Sequence, residues 1–178
     1  LAFVQHMIVS LNAEGKLGVV VPHGVLFRGS SEKEIRKGIL EDDLLEAVIG
    51  LPSALFYGTG IPAALLIINK KKNDQRKSKV LFINSELEYQ QDKNQNKLRD
   101  SDIKHVLSIY DDFKNEKRYS KVVSIEEIRE NDYNLNIRRY ADTSPPPEQF
   151  DVKAVLRGGI PVVEVEDDYM QETLDGMD

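Results

Sequence analysis

Apolar residues recur at helical spacing at the start of the chain. Phe3, Met7 and Leu11 share one face, with Val4 and Ile8 beside them, and Asn12 and Gly15 offer a stop. This predicts an amphipathic helix over residues 2–12. Lys16–Pro22 (KLGVVVP) is short, β-branched and apolar on both faces, the pattern of a central strand covered by helices. Ser31 and Glu34 have capping-box spacing, so the pair predicts a helix start, and Ile35, Ile39 and Leu40 supply its apolar stripe. Leu44–Leu51 (LLEAVIGL) reads as a second strand, Pro52–Gly60 as a loop and Ile61–Ile68 (IPAALLII) as a third strand. A polar, basic turn fills 69–79, and Val80–Asn84 is a possible fourth strand.

The order helix, strand, helix, strand, loop, strand implies an α/β sheet with helices on its faces. The first two strands, joined by a helix, are expected to run parallel. The third follows after only a loop, too short for a parallel crossover, so it is expected antiparallel to its predecessor. Beyond it, residues 85–100 are polar and read as loop. Ile103, Val106, Leu107 and Tyr110 mark another helix, and Ser124 with Glu127 forms a second capping box for a short helix that Asn131 ends. Asp142–Glu148 (DTSPPPE) is a linker by composition. The rest is acidic with scattered apolar anchors: Val152, Val155, Ile160, Val162 and Val163. This divides the chain into 1–84, a helical extension over 85–140, and a proline-rich linker with an acidic docking tail over 141–178.

Charge sharpens that division. Residues 1–140 hold 22 Lys and Arg against 20 Asp and Glu, a balance of +2, whereas 141–178 hold 2 against 10, a balance of −8. The net charge of −6 argues against an autonomous DNA-binding module. Cysteine is absent, which excludes a disulfide framework and a thiol nucleophile, and three scattered histidines make no metal site. No apolar run approaches the length of a membrane span and no signal peptide is evident, so a cytoplasmic location with no membrane partner is expected. The chain opens on Leu1 rather than Met, as a processed chain or a piece of a longer one does.

Candidate chemistry is sparse. His6, His23 and His105 have no evident Ser or Cys partner; His6 and His105 read as surface or packing residues. Gly58-Thr-Gly60 is too short for a phosphate loop. The acid pairs Asp42-Asp43, Asp111-Asp112 and Asp167-Asp168 read as solvated. Two loops stand out by position, because ligands of open α/β sheets bind beyond the carboxyl ends of the strands. One is Pro22–Gly29, with His23, Phe27 and Arg28. The other is Pro52–Gly60, which reaches the same edge if the third strand is antiparallel. From the residues alone, Phe27 and Phe56 read in the first place as core plugs rather than as ligand-facing aromatics.

The stretch AEGKLGVVVPHGVLFRGSSEKEIRKGILEDDLLEAVIGLPSALFYGTGIPAALLIINKKK resembles the segment after the Asn-Pro-Pro-aromatic motif in modification (M) subunits of type I restriction-modification systems. EIRENDYNLNIRRY is similar to another hallmark of that family. The resemblance is close over about residues 1–140. It implies the C-terminal half of a class I (Rossmann-like) methyltransferase sheet, with Gly18–Val21 as strand five, Glu46–Ile49 as strand six and Ile61–Ile68 as an antiparallel strand seven. It implies a parent enzyme that transfers methyl from S-adenosylmethionine to N6 of a flipped adenine in DNA, with a specificity (S) subunit and a nuclease (R) subunit as partners. No Asn-Pro-Pro occurs in this sequence, so no catalytic residue carries over, and this piece alone is expected to be inactive.

What carries over is the loop before strand seven, where an aromatic of the family stacks on the flipped base. Phe56 matches that position, Tyr57 adjoins it, and Gly58 and Gly60 permit close backbone approach. Lys70, Lys71, Lys72, Arg76, Lys77 and Lys79 are candidate phosphate contacts, with a solvated turn as the equal alternative. Loss of a preceding strand four would leave Gly18–Val21 an open edge and invite self-association. The competing reading is a protein-interaction region without chemistry, docking onto partner subunits.

Overall fold

The computed structural model describes residues 1–144, which form one compact body. The elements run α1 (Ala2–Ser10), β1 (Lys16–Pro22), a 3-10 turn (His23–Leu26), α2 (Ser31–Glu41), β2 (Leu45–Gly50), β3 (Ala63–Asn69), β4 (Lys79–Asn84), α3 (Asp100–Asp112), β5 (Ser120–Ser124), α4 (Ile125–Glu130) and α5 (Ile137–Tyr140). The strands make one mixed sheet in the order β1-β3-β2-β4-β5. β3 lies between β1 and β2 and is antiparallel to both, as the short loop before it requires. β1 and β2 therefore run in one direction, and β4 joins β2 in parallel.

The alternation of side chains splits the core in two. On one face Val48, Ala64, Leu66, Ile68, Val80 and Phe82 meet Val4 and Ile8 of α1, Ile39 and Leu40 of α2, Ile128 of α4, and Ile137 and Tyr140 of α5. On the other, Ala47, Ile49, Leu81 and Ile83 meet Ile109 of α3 and Tyr119. Phe82 has no exposed surface and packs on the Tyr140 ring at 4.3 Å. Truncating such a side chain leaves a cavity and costs about 3–5 kcal/mol.

Several expectations change. Lys16–Pro22 is a strand but not a central one. Among the described residues it pairs only with β3 and its outer edge is open, so Val20 stays 48% exposed. Helix α1 turns Val4 and Ile8 inward, while Phe3 and Met7 of its predicted stripe are exposed. The Ser31–Glu34 capping box does not form: the helix starts after Ser30, whose φ of 57° lies in the left-handed region, and no side chain caps it. At α4 Ser124 does cap, its hydroxyl accepting from the Glu127 amide at 3.1 Å, but the Glu127 carboxylate pairs with Lys121 instead of returning to the cap.

The boundary at 84 is not structural. β5, unforeseen because SKVVS is short and half-polar, pairs with β4 along Lys79–Ile83, so the 85–140 segment completes the sheet. Asp43 is not solvated either, since it binds Lys72 and the Ser78 amide. The apolar anchors from Val152 to Val163, the pair Asp167-Asp168 and the acidic tail beyond Ser144 lie outside the described residues.

Candidate nucleic-acid interface

The ends of β1 and β2, the end of β4 and the start of β3 meet at one edge of the sheet, because β3 is reversed relative to its neighbours. The register aligns Pro22 with Ala63 and Gly50 with Ala64. The loops 22–29 and 52–62 therefore leave the same edge, and the His23 amide donates to the Pro62 carbonyl at 3.2 Å.

Phe56 is 40% exposed and Tyr57 91%. Phe56 lines an open hollow of about 210 Å³ with Val20, Val21, Pro22, Thr59, Ile61, Pro62 and Ala63, beside the unpaired edge of β1. Phe56 is thus no core plug; an aromatic face is presented at the mouth of an apolar recess. Gly58 adopts φ 75°, which a side chain would strain, while Gly60 has open space around it. The loop is strapped by residues of the polar segment 85–100. The Asn96 side chain donates to the Ser53 carbonyl at 2.8 Å, its amide to the Ala54 carbonyl at 2.9 Å, and the Gln95 amide group donates to the Leu55 carbonyl. S-adenosylmethionine, expected from the resemblance, needs polar groups for its ribose and amino acid ends. Among the described residues Thr59 is the one polar side chain lining this recess, so the recess does not fit it.

At the same edge His23 packs edge-on against Phe27 at 5.6 Å, and its Nε2 lies 3.9 Å from Glu86, buried and without a hydrogen bond. Burial pushes the imidazole below its ordinary value; Glu86 opposes this, and Arg138 reinforces it. Glu86 accepts from Arg138 at 2.8 and 3.1 Å. Residues 133–141 tie the strand ends together. Leu135 N–H donates to Leu26 at 2.9 Å, the Asn84 side chain donates to the Ala141 carbonyl at 2.9 Å, and Ile137 lies so close to Gly50 that a Cβ there would meet its Cδ1 at 3.0 Å. Glu86, Arg138, Gln95 and Asn96 were all missed at the sequence level. The spacing of none of them announces a partner so distant along the chain.

The basic turn lies at the opposite edge, since Lys16 pairs with Asn69 and Lys70 donates to Gly15. A strand of this length puts about 20 Å between the two edges at about 3.3 Å per residue. Lys72 is not a surface cation: its side chain is 2% exposed and bonds Asp43 at 2.6 Å and the Lys79 carbonyl at 3.0 Å. Burial lowers its pKa, with Asp43 opposing. Arg76 bonds the fully buried Glu46 at 2.8 Å and the carbonyls of Tyr110 and Asp111. Burial is the strongest influence on Glu46 and opposes its ionisation. Hydrogen bonds from Tyr110, Asn69 and Arg76 outweigh it and hold the carboxyl below its usual range. Lys70 donates to the Leu11 carbonyl, Lys71 pairs with Glu14, Lys77 with Asp74, and Lys79 reaches the Gln75 carbonyl. The turn reads as bracing, which removes Lys72 and Arg76 from the phosphate-contact expectation.

Among the described residues no helix is long and apolar enough to cross a membrane, and no cluster of acids and histidines could hold a metal ion.

The comparisons with known proteins agree with this geometry. The N-6 DNA methylase family model matches residues 1–149. The type I restriction enzyme MjaVIII methylase subunit of Methanocaldococcus jannaschii is 47% identical over 154 residues, covering 85% of this chain and 26% of that protein. The MjaVII methylase subunit of the same organism is 38% identical over 176 residues, covering 97% of this chain and 30% of that protein. The crystal structure of a type I restriction-modification methyltransferase subunit from Streptococcus thermophilus superposes with a TM-score of 0.76 at 41% identity, over 80% of this chain and 30% of that one. The chain thus spans roughly a quarter to a third of the length of these relatives. It belongs to the N-6 DNA methylase family, among the methylase subunits of type I restriction enzymes.

Proposed function

We propose that this chain supplies the base-binding edge of an adenine-N6 DNA methyltransferase that works with a specificity subunit and a nuclease subunit. In this reading β1, β2 and β3 are strands five, six and seven of a class I methyltransferase sheet. The observation that carries it is the antiparallel insertion of β3 between β1 and β2, which delivers the Phe56–Tyr57 loop to the edge where β1 ends. An extruded adenine loses its stacking in the duplex and recovers it on an aromatic face. Phe56 offers that face beside a recess, and Tyr57 is free to close over it.

The open edge of β1 and the exposed side chains of Val20, Phe3 and Val9 favour a covering by further protein, where the donor pocket for S-adenosylmethionine would lie. These residues themselves do not hold the donor. Calorimetry on this chain is expected to show no saturable micromolar binding of S-adenosylmethionine; such binding would refute the placement.

The base-stacking role is tested in the intact modification subunit. Phe56→Ala is expected to slow methylation and to weaken binding to DNA carrying an unpaired target base by about 1–3 kcal/mol, the worth of one base stacked on an aromatic ring. Unchanged rates and affinities for Phe56→Ala and Tyr57→Ala alike would end this reading.

A further inference from the structure

The carboxyl edge carries a second group of side chains that the base-stacking loop does not use. The Arg28 guanidinium lies against Gly24, where a Cβ would stand 3.0 Å from its Nε and Nη2. Arg28 is exposed, and among the described residues its side chain makes no ion pair or hydrogen bond. Gly24 adjoins His23, whose Nε2 is buried, without a hydrogen bond, and 3.9 Å from Glu86. Glu86, with an 8% exposed side chain, grips Arg138, whose own side chain is 64% exposed. Phe27, edge-on to His23, keeps 43% of its surface exposed. The cluster therefore sets two guanidiniums around one buried carboxylate and an imidazole that burial disfavours from charging, with Asp142 near Arg138 and an aromatic ring at the rim.

A guanidinium fork matches the oxygens of a phosphate, and exposed arginines beside an aromatic are the chemistry that tracks a single nucleic-acid strand. Extruding a base pulls its strand's backbone toward the protein edge that receives it. The alternative cations, at Lys70–Lys79, lie at the far edge and are tied to neighbours. We propose that Arg28 and Arg138 receive backbone phosphates of the DNA strand whose base is extruded, with Phe27 against a neighbouring nucleotide. This rests on the methyltransferase reading above.

The test is the salt dependence of DNA binding by the intact modification subunit assembled with its specificity subunit. Each lost phosphate contact makes the slope of log affinity against log salt shallower by about 0.9. Arg28→Ala is expected to show one such step. Arg138→Ala, made together with Glu86→Gln so that no buried charge is left unpaired, is expected to show another, and Gly24→Ala, which crowds the Arg28 guanidinium, to weaken binding in the same direction. The triple variant Lys71→Ala, Lys77→Ala, Lys79→Ala is expected to keep the parent slope. Unchanged slopes for both arginine variants, in a subunit that binds DNA, overturn the proposal while leaving the methyltransferase reading intact. Unchanged slopes with loss of assembly onto the specificity subunit overturn it in favour of a protein interface. A parent assembly that binds no DNA overturns both.

Discussion

The two edges of the sheet use charge in opposite ways. At the edge of Asn69–Lys79 the charges nearest the sheet are turned inward, while Lys71 and Lys77 pair with Glu14 and Asp74 at the surface. Glu46 has no exposed surface and is held by Arg76, Asn69 and Tyr110, while Lys72 is sealed against Asp43. At the edge of Pro22, Gly50 and Asn84 the carboxylate is buried but its cation faces out, and a second arginine is unpaired among the described residues. The first arrangement spends its charges on holding β2, β3 and α3 together; the second keeps donors available for something outside. A run of lysines and arginines in sequence therefore says little about whether its charges are free to meet a partner outside the fold.

The largest expected effect breaks the structural edge. Arg76→Ala leaves Glu46 charged and buried without its cation, and removing one member of a buried pair costs about 3–5 kcal/mol. Denaturant melting of the variant is expected to show that loss. Replacing Glu46 by Gln together with Arg76→Met should recover much of it, because the uncompensated charge goes. If Arg76→Ala melts like the parent, the pair is a surface decoration and the contrast between the edges disappears.

A smaller effect is expected at the other edge. Asn96→Ala removes the side-chain donor to the Ser53 carbonyl. A hydrogen bond of this kind is worth about 1 kcal/mol. The segment 52–60 holds no helix or strand, so the expected consequence is local: faster amide hydrogen exchange there, with global melting almost unmoved. Exchange that rises equally in β2 and β3 would mean that the loop is part of the core rather than a separately braced binding element.

How far the sequence reveals this follows from the range of the interactions. β1 to β4 were legible because each is a dense β-branched or aliphatic run bounded by turns, and the reversal of β3 followed from loop length alone. β5 was not, since SKVVS is as polar as it is apolar and owes its existence to β4. The place of the aromatic loop at the strand ends was legible from the strand order, and the bracing within the basic turn was not, because its partners Asp43, Glu46 and Tyr110 lie 29 to 34 residues away. The Glu86–Arg138 pair spans 52 residues, and only the packed fold brings it to His23.

The smallest effect separates two histidines near the carboxyl edge. His105 sets Nδ1 2.7 Å from Glu88 and Nε2 3.0 Å from Glu116, and stacks on Tyr119 at 4.1 Å, whose hydroxyl also donates to Glu88. Two carboxylates on two ring nitrogens require both to donate, which is the imidazolium form. Burial is the strongest single influence and lowers its pKa, but the pull of Glu88 and Glu116 outweighs it and raises the value above the ordinary one. Its contribution is therefore complete below the unfolded value of about 6.5 and is lost as pH rises through the folded pKa. His23 is the reverse. Burial holds it neutral, so its folded pKa is depressed, and the fold loses stability as pH falls below about 6.5, where the unfolded chain takes up the proton. In the parent the two slopes partly cancel. His105→Gln is expected to lower melting more at about pH 5.5 than at about pH 8, and His23→Gln to be better tolerated at the acid end, each by less than about 1 kcal/mol because these groups are partly solvated. Parallel pH profiles for the parent and His105→Gln would show that the clamp carries no charge, and parallel profiles for His23→Gln would show that its burial has no consequence for the edge it lines.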